Sequence, residues 1–79
     1  MRLLLLEDDV MIGETVLDLL RAEKYAVDWV KDGDAADMAL RAQQYDLVLL
    51  DLGVPRRDGL EVLRALRARK QRMPVLIAT

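Results

Sequence analysis

The chain has 79 residues, which allows one domain or part of one. Hydrophobic residues make up 53% and charged residues 33%, the balance of a globular chain rather than a disordered one. There is no cysteine and no histidine, which excludes disulfides, zinc sites and imidazole bases; any metal must be held by oxygen, and that favours a hard ion such as Mg2+.

The net charge of −2 is unevenly spread. Residues 1–51 hold 12 acids and 5 bases, residues 52–79 hold 2 acids and 7 bases. An acidic front suits a cation site, and a basic back suits either an anionic contact or a solvated helix face. A chain of this size buries roughly 60–65% of its unfolded surface, so marginal stability is expected. The N-terminus MRLLLLEDD has four consecutive leucines before its acids, too few for a signal peptide or a membrane span. A soluble, cytoplasmic protein is expected.

Leu3 to Leu6 reads as a strand covered on both faces. Ile12, Val16, Leu19 and Leu20 then recur at helical spacing and predict a first helix over about 10–23. Residues 25–30 are rich in β-branched and aromatic types and predict a second strand; Asp28 within it points to a sheet edge or a partly wet face. Asp32 or Asp34 is the candidate N-cap of a second helix near 35–43, packed through Ala36, Ala39 and Leu40. Leu47 to Leu50, the most apolar segment, predicts a central parallel strand that runs into Asp51. A loop is expected over 53–59 because Pro55 bars an immediate helix, with a third helix capped by Asp58 and a capping-box partner at Glu61. Leu60, Leu63 and Leu66 mark its apolar side, and Arg64, Arg67 and Lys70 its basic flank. Pro74 precedes a fourth, buried strand at Val75, Leu76 and Ile77.

The order βαβαβαβ predicts an α/β fold with a doubly wound parallel sheet and right-handed crossovers. Ligands of such sheets sit beyond the C-terminal strand ends, where the strand order reverses. Glu7 and Asp8 follow the first strand and Asp51 ends the third, so the carboxylates converge if those strands are neighbours. Gathered carboxylates repel one another and call for a cation. One of them can instead accept a phosphoryl group, with the metal neutralising the transferring oxygens. Each motif alone also has a plain reading, a capped polar loop at Glu7-Asp8-Asp9 and a turn cap at Asp51, and the set could be a structural cation site.

LLLLEDD, LVLLDLGVPRRDG and PVLIAT, in that order, resemble the receiver (CheY-like) domain of bacterial two-component response regulators. The segments YAVDWVKDG and LDLGVPRRDGLEVLR are similar to the OmpR/PhoB class, in its QseB/PmrA-like branch. The resemblance covers the whole chain and implies a flavodoxin-like receiver fold with strand order 2-1-3-4-5. It implies that Asp51 is the phospho-acceptor, that Asp8 binds Mg2+ directly and Glu7 through a water, and that the Gly53 backbone carbonyl completes the metal site with Asp51. Asp9 matches the third acid of the signature, a helix cap. Pro55 and Gly59 match residues that shape the loop, and Thr79 matches the hydroxyl that meets the phosphoryl group on switching.

Against the family's pattern, the sequence ends at Thr79, and residues 1–79 are expected to form a partial receiver domain. The fourth helix, the fifth strand with its phosphoryl-binding lysine, the fifth helix and the DNA-binding effector domain have no counterpart. Arg56, Arg57 and Lys70 are read as solvated surface, not substitutes for that lysine. The bared sheet edge predicts a homodimer or an exchange of elements between copies.

The resemblance implies a signalling module rather than a turnover enzyme. A sensor histidine kinase or a small acyl phosphate would donate the phosphoryl group, and DNA would be reached only through an effector domain. Two other classes compete. An aspartyl phosphatase of the haloacid-dehalogenase type needs a second acid two residues on, and Asp51-Leu52-Gly53 lacks it. A nucleic-acid or protein-binding module would use Arg64, Arg67, Arg69, Lys70 and Arg72, but aromatic residues are only 4% of the chain, little material for stacking on bases.

Overall fold

Short aliphatic runs separated by amphipathic segments build alternating strands and helices. The structure, a computed structural model, describes residues 1–51, 56–69, 71 and 73–78, and for residues 51, 56–60, 77 and 78 the backbone alone. The elements are β1 (Arg2–Leu6), α1 (Val10–Ala22), β2 (Ala26–Val30), α2 (Gly33–Ala42), β3 (Leu47–Asp51), α3 (Arg56–Ala68) and β4 (Val75–Ala78). The strands pair in parallel in the order β2-β1-β3-β4. Among the described residues, no helix is long and apolar enough to cross a membrane.

Successive side chains of a strand point to opposite faces, so each leucine run feeds two cores. Leu4, Leu6, Val48 and Leu50 join Ala36 and Leu40 of α2, Val62 and Leu66 of α3, and Tyr45. Leu3, Leu5 and Val27 face the other way, against Val16, Leu17 and Leu20 of α1 with Trp29, Leu47 and Leu49.

Local chemistry sets the helix ends. Asp9, in extended backbone, caps α1 by accepting from the Ile12 amide at 3.0 Å. Asp32 does the same for α2, accepting from Ala35 at 2.8 Å, which resolves the choice between Asp32 and Asp34. The C-terminus of α1 closes with Lys24 at φ 68°, its amide on the Arg21 carbonyl and the Tyr25 amide on that of Leu20. This is a Schellman turn with lysine in the left-handed position usually taken by glycine. Tyr25 is committed to that turn, so β2 starts one residue later than its apolar run.

The third helix starts earlier than expected, at Arg56 rather than Asp58, so Asp58 and Glu61 both lie within the helix, past its N-cap position. Proline disfavours helix in the residue before it, whereas its fixed φ and missing N–H suit a helix's first turn. Gly59 likewise belongs to α3, while Gly53 and Pro55 lie outside the described residues. The fourth strand is only half covered: Val75 packs on the α2/α3 core, but Leu76, paired with Leu49, is 56% exposed.

The basic flank of α3 is more than a solvated stripe. Arg67 donates to the carbonyls of Gln71 (2.8 Å) and Met73 (3.3 Å), satisfying backbone beyond the helix. Arg69 reaches Asp37 on α2 at 2.9 Å, and Arg41 holds the same carboxylate at 2.9 Å. Hydrogen bonds from Arg41 and then Arg69 keep Asp37 below the usual carboxylate range. At the opposite end of the sheet from the acids, Asp28 accepts from the Tyr45 hydroxyl at 2.6 Å and from Arg2 at 3.4 Å. Burial first, and then that bond to Asp28, push the Tyr45 phenol up to about 12.

Candidate functional site

Strand order decides whether the acidic residues meet. β1 lies between β2 and β3, and the pairing of Leu6 with Leu50 puts the C-terminal ends of β1 and β3 side by side. Continued by one residue, that register sets Glu7 alongside Asp51. The Glu7 amide donates to the Val30 carbonyl of β2 at 3.0 Å, extending the backbone order past the end of β1. Asp51 is the last residue of β3 and pairs with Ala78, the residue before Thr79.

The three consecutive acids occupy different environments. Glu7 is 2% exposed, and its carboxylate accepts from the Asp9 amide at 3.0 Å. Asp8 is exposed at the rim, and Asp9 is spent on capping α1. A carboxylate removed from water must be met by hydrogen bonds or positive charge, so a buried glutamate at a strand end is a costly placement. Among the described residues, no three acidic side chains form a metal-sized cluster. The Asp51 side chain is outside that set, as are Gly53 and Thr79 altogether. Carboxylates at adjoining strand ends make an all-oxygen donor set, which fits a hard divalent cation in chemical type.

One residue near the acids carries no signal of its own in the sequence pattern. The indole Nε1–H of Trp29 donates to the backbone carbonyl of Glu7 at 2.9 Å. Its ring lies against Gly13 of α1, where an added Cβ would overlap it, and the Lys31 ammonium sits 5.1 Å from the ring centroid. The available hint was Gly13 itself. A glycine inside a helix costs about 1 kcal/mol against alanine, so it asks for a packing reason.

The proposed basic surface for a nucleic acid is partly consumed within the fold, since Arg67 and Arg69 make the bonds described above. Arg64 is exposed, and Lys70 and Arg72 lie outside the described residues.

Comparison with known proteins agrees with this fold. The family model of the response regulator receiver domain matches residues 3–79. Response regulator protein PmrA of Pseudomonas aeruginosa is 48% identical over the whole chain, as is transcriptional regulatory protein QseB of Haemophilus influenzae. The chain spans about a third of these curated relatives, 36% of each. Among solved structures, response regulator TrrA of Thermotoga maritima, in complex with Mg2+-BeF, superposes with a TM-score of 0.86 at 32% identity, covering 96% of this chain and 66% of that one. The receiver domain of the Francisella response regulator 1452 gives 0.88 at 25% identity, covering 96% of this chain and 63% of its own. The order β2-β1-β3-β4 is also the one that the resemblance implied for the first four strands. The chain belongs to the response regulator receiver domain family.

Proposed function

We propose that this chain is the phosphoryl-accepting module of a two-component response regulator, with Asp51 as the acceptor. A carboxylate oxygen of Asp51 attacks the phosphorus of a sensor kinase's phosphohistidine. The P–N bond breaks, its electron pair returns to the imidazole, and an aspartyl phosphate forms. A small acyl phosphate donates in the same way, releasing its carboxylate. The observation that carries this reading is the register of β1 on β3, which brings Glu7 and Asp8 to the strand end occupied by Asp51.

Mg2+, when bound, supplies positive charge to the transferring phosphoryl oxygens. Asp8, Asp51 and the Gly53 carbonyl would hold it directly, with Glu7 acting through a water. Asp9 keeps the entry to α1 fixed, and Thr79 offers its hydroxyl to the phosphoryl group. The residues then act as a switch rather than as a turnover enzyme: the modified site biases a two-state surface. The relatives named as transcriptional regulators support an output through DNA, made by a separate effector region in a cytoplasmic protein. The exposed apolar groups Leu19 and Leu76 support self-association, with or without exchange of elements.

Intact mass after incubation with acetyl phosphate and Mg2+ tests the proposal, beside an Asp51→Asn control. A phosphoryl adduct on the native chain alone is expected. No adduct on the native chain, or an equal adduct on both, overturns it.

A further inference from the structure

We infer that Trp29 is a positioning residue for the acidic site: its indole N–H holds the Glu7 carbonyl and thereby sets the direction in which Asp8 leaves β1. The inference rests on the acceptor reading above. Just past the end of β1, the Glu7 amide is tied to β2 through the Val30 carbonyl, and the Glu7 carbonyl accepts from the Trp29 indole. Because a peptide unit is planar, fixing that carbonyl also fixes the amide nitrogen and the Cα of Asp8.

The indole is itself held on several sides. It sits in β2 next to Val30, and its ring is seated on Gly13, the one buried residue of α1. The Lys31 ammonium lies over the ring. Glu7 is tied to α1 as well: the Asp9 amide bonds the Glu7 carboxylate while the Asp9 side chain caps α1. Trp29 therefore links the end of β1 to the helix that follows it, and Glu7 is held at both its carbonyl and its carboxylate. Gly13 serves the same purpose by omission, because any side chain there would displace the ring.

The test compares the native chain with Trp29→Phe, which keeps an aromatic ring and removes the N–H donor. Calorimetric titration with MgCl2 is expected to show a dissociation constant about 10-fold weaker in the variant, the usual scale for groups that orient metal ligands. Circular dichroism checks that both chains are folded. Trp29 is the chain's only tryptophan, so the native protein carries its own second readout: its fluorescence and single indole N–H resonance should shift as Mg2+ binds. Should Trp29→Phe not fold, that second readout decides alone. If the native chain binds Mg2+ and the variant binds it equally well, or if the native indole signals stay unmoved at saturation, the role of Trp29 is overturned and the acceptor reading stands. If the native chain binds no Mg2+ at all, both fall.

Discussion

The two faces of the sheet are built to different standards. On one, α2 and α3 close over Leu4, Leu6, Val48 and Leu50, and Leu40, Val62 and Leu66 are buried against them. On the other, α1 buries no residue but Gly13; Val16, Leu17 and Leu20 are half-covered, while Leu19 remains 64% exposed. Leu76 of β4 is open on that same side. The difference separates stability from function across a single layer of strands. The sealed face supplies most of the apolar burial, whereas the open face carries the helix that the acids Glu7 and Asp9 tie to the site.

The contrast is tested most severely by truncating one leucine on each side. Leu66→Ala should cost about 2–5 kcal/mol, since the cavity is enclosed, and Leu20→Ala about half as much. Urea midpoints measure both, and equal losses would show that the faces are not energetically distinct. A smaller effect probes the polar edge of the sealed core. Tyr45→Phe removes the hydroxyl bonded to Asp28 and should cost about 1–3 kcal/mol near neutral pH. Because the phenol is raised in the folded state, its contribution is complete below its ordinary value of 10.0. It is lost as pH rises from there towards about 12, where the unfolded chain releases the proton first. The alkaline fall in stability should therefore be shallower in Tyr45→Phe. The smallest expected effect lies on the open side: Leu19→Gln should change stability by less than about 0.5 kcal/mol. In sedimentation runs, the same variant should associate less than the native chain at high concentration. Unchanged association would remove Leu19 from any interface.

Much of this architecture could be read locally. Asp9 and Asp32 precede apolar helical runs and do cap them, and the aliphatic runs at 3–6 and 47–50 are strands because each must satisfy two cores at once. Asp28 pointed to a sheet edge or a partly wet face; β2 is the outer strand next to β1, and the Asp28 carboxylate is used there by Tyr45 and Arg2. α3 begins sooner after Pro55 than the sequence suggests because proline restricts the residue before it, not those after. The exposure of Leu76 depends on what packs above β4, and no local pattern reports that. The bond between Asp37 and Arg69 joins α2 to the end of α3, so neither neighbourhood announces it. For the site, the acids and their strand ends were visible as residues. Their adjacency required the strand order, which came from family likeness rather than from periodicity. The part played by Trp29 depends on a contact with Gly13 across two elements, which neither segment shows by itself.

The interior position of β1 has a consequence for how the molecule is made. β1 is synthesised before both of the strands that flank it, so one of its edges waits for Leu47 and its neighbours. At typical rates of synthesis the gap between completing β2 and completing β3 lasts about 1–4 s. During that interval a run of four leucines has an open hydrogen-bonding edge, the kind of segment that pairs with other nascent chains. Glu7, Asp8 and Asp9 directly follow that run and place negative charge beside it. Such flanking charge restrains aggregation of an unavoidable apolar strand. That charge is in place before β3 exists to bring Asp51 alongside it.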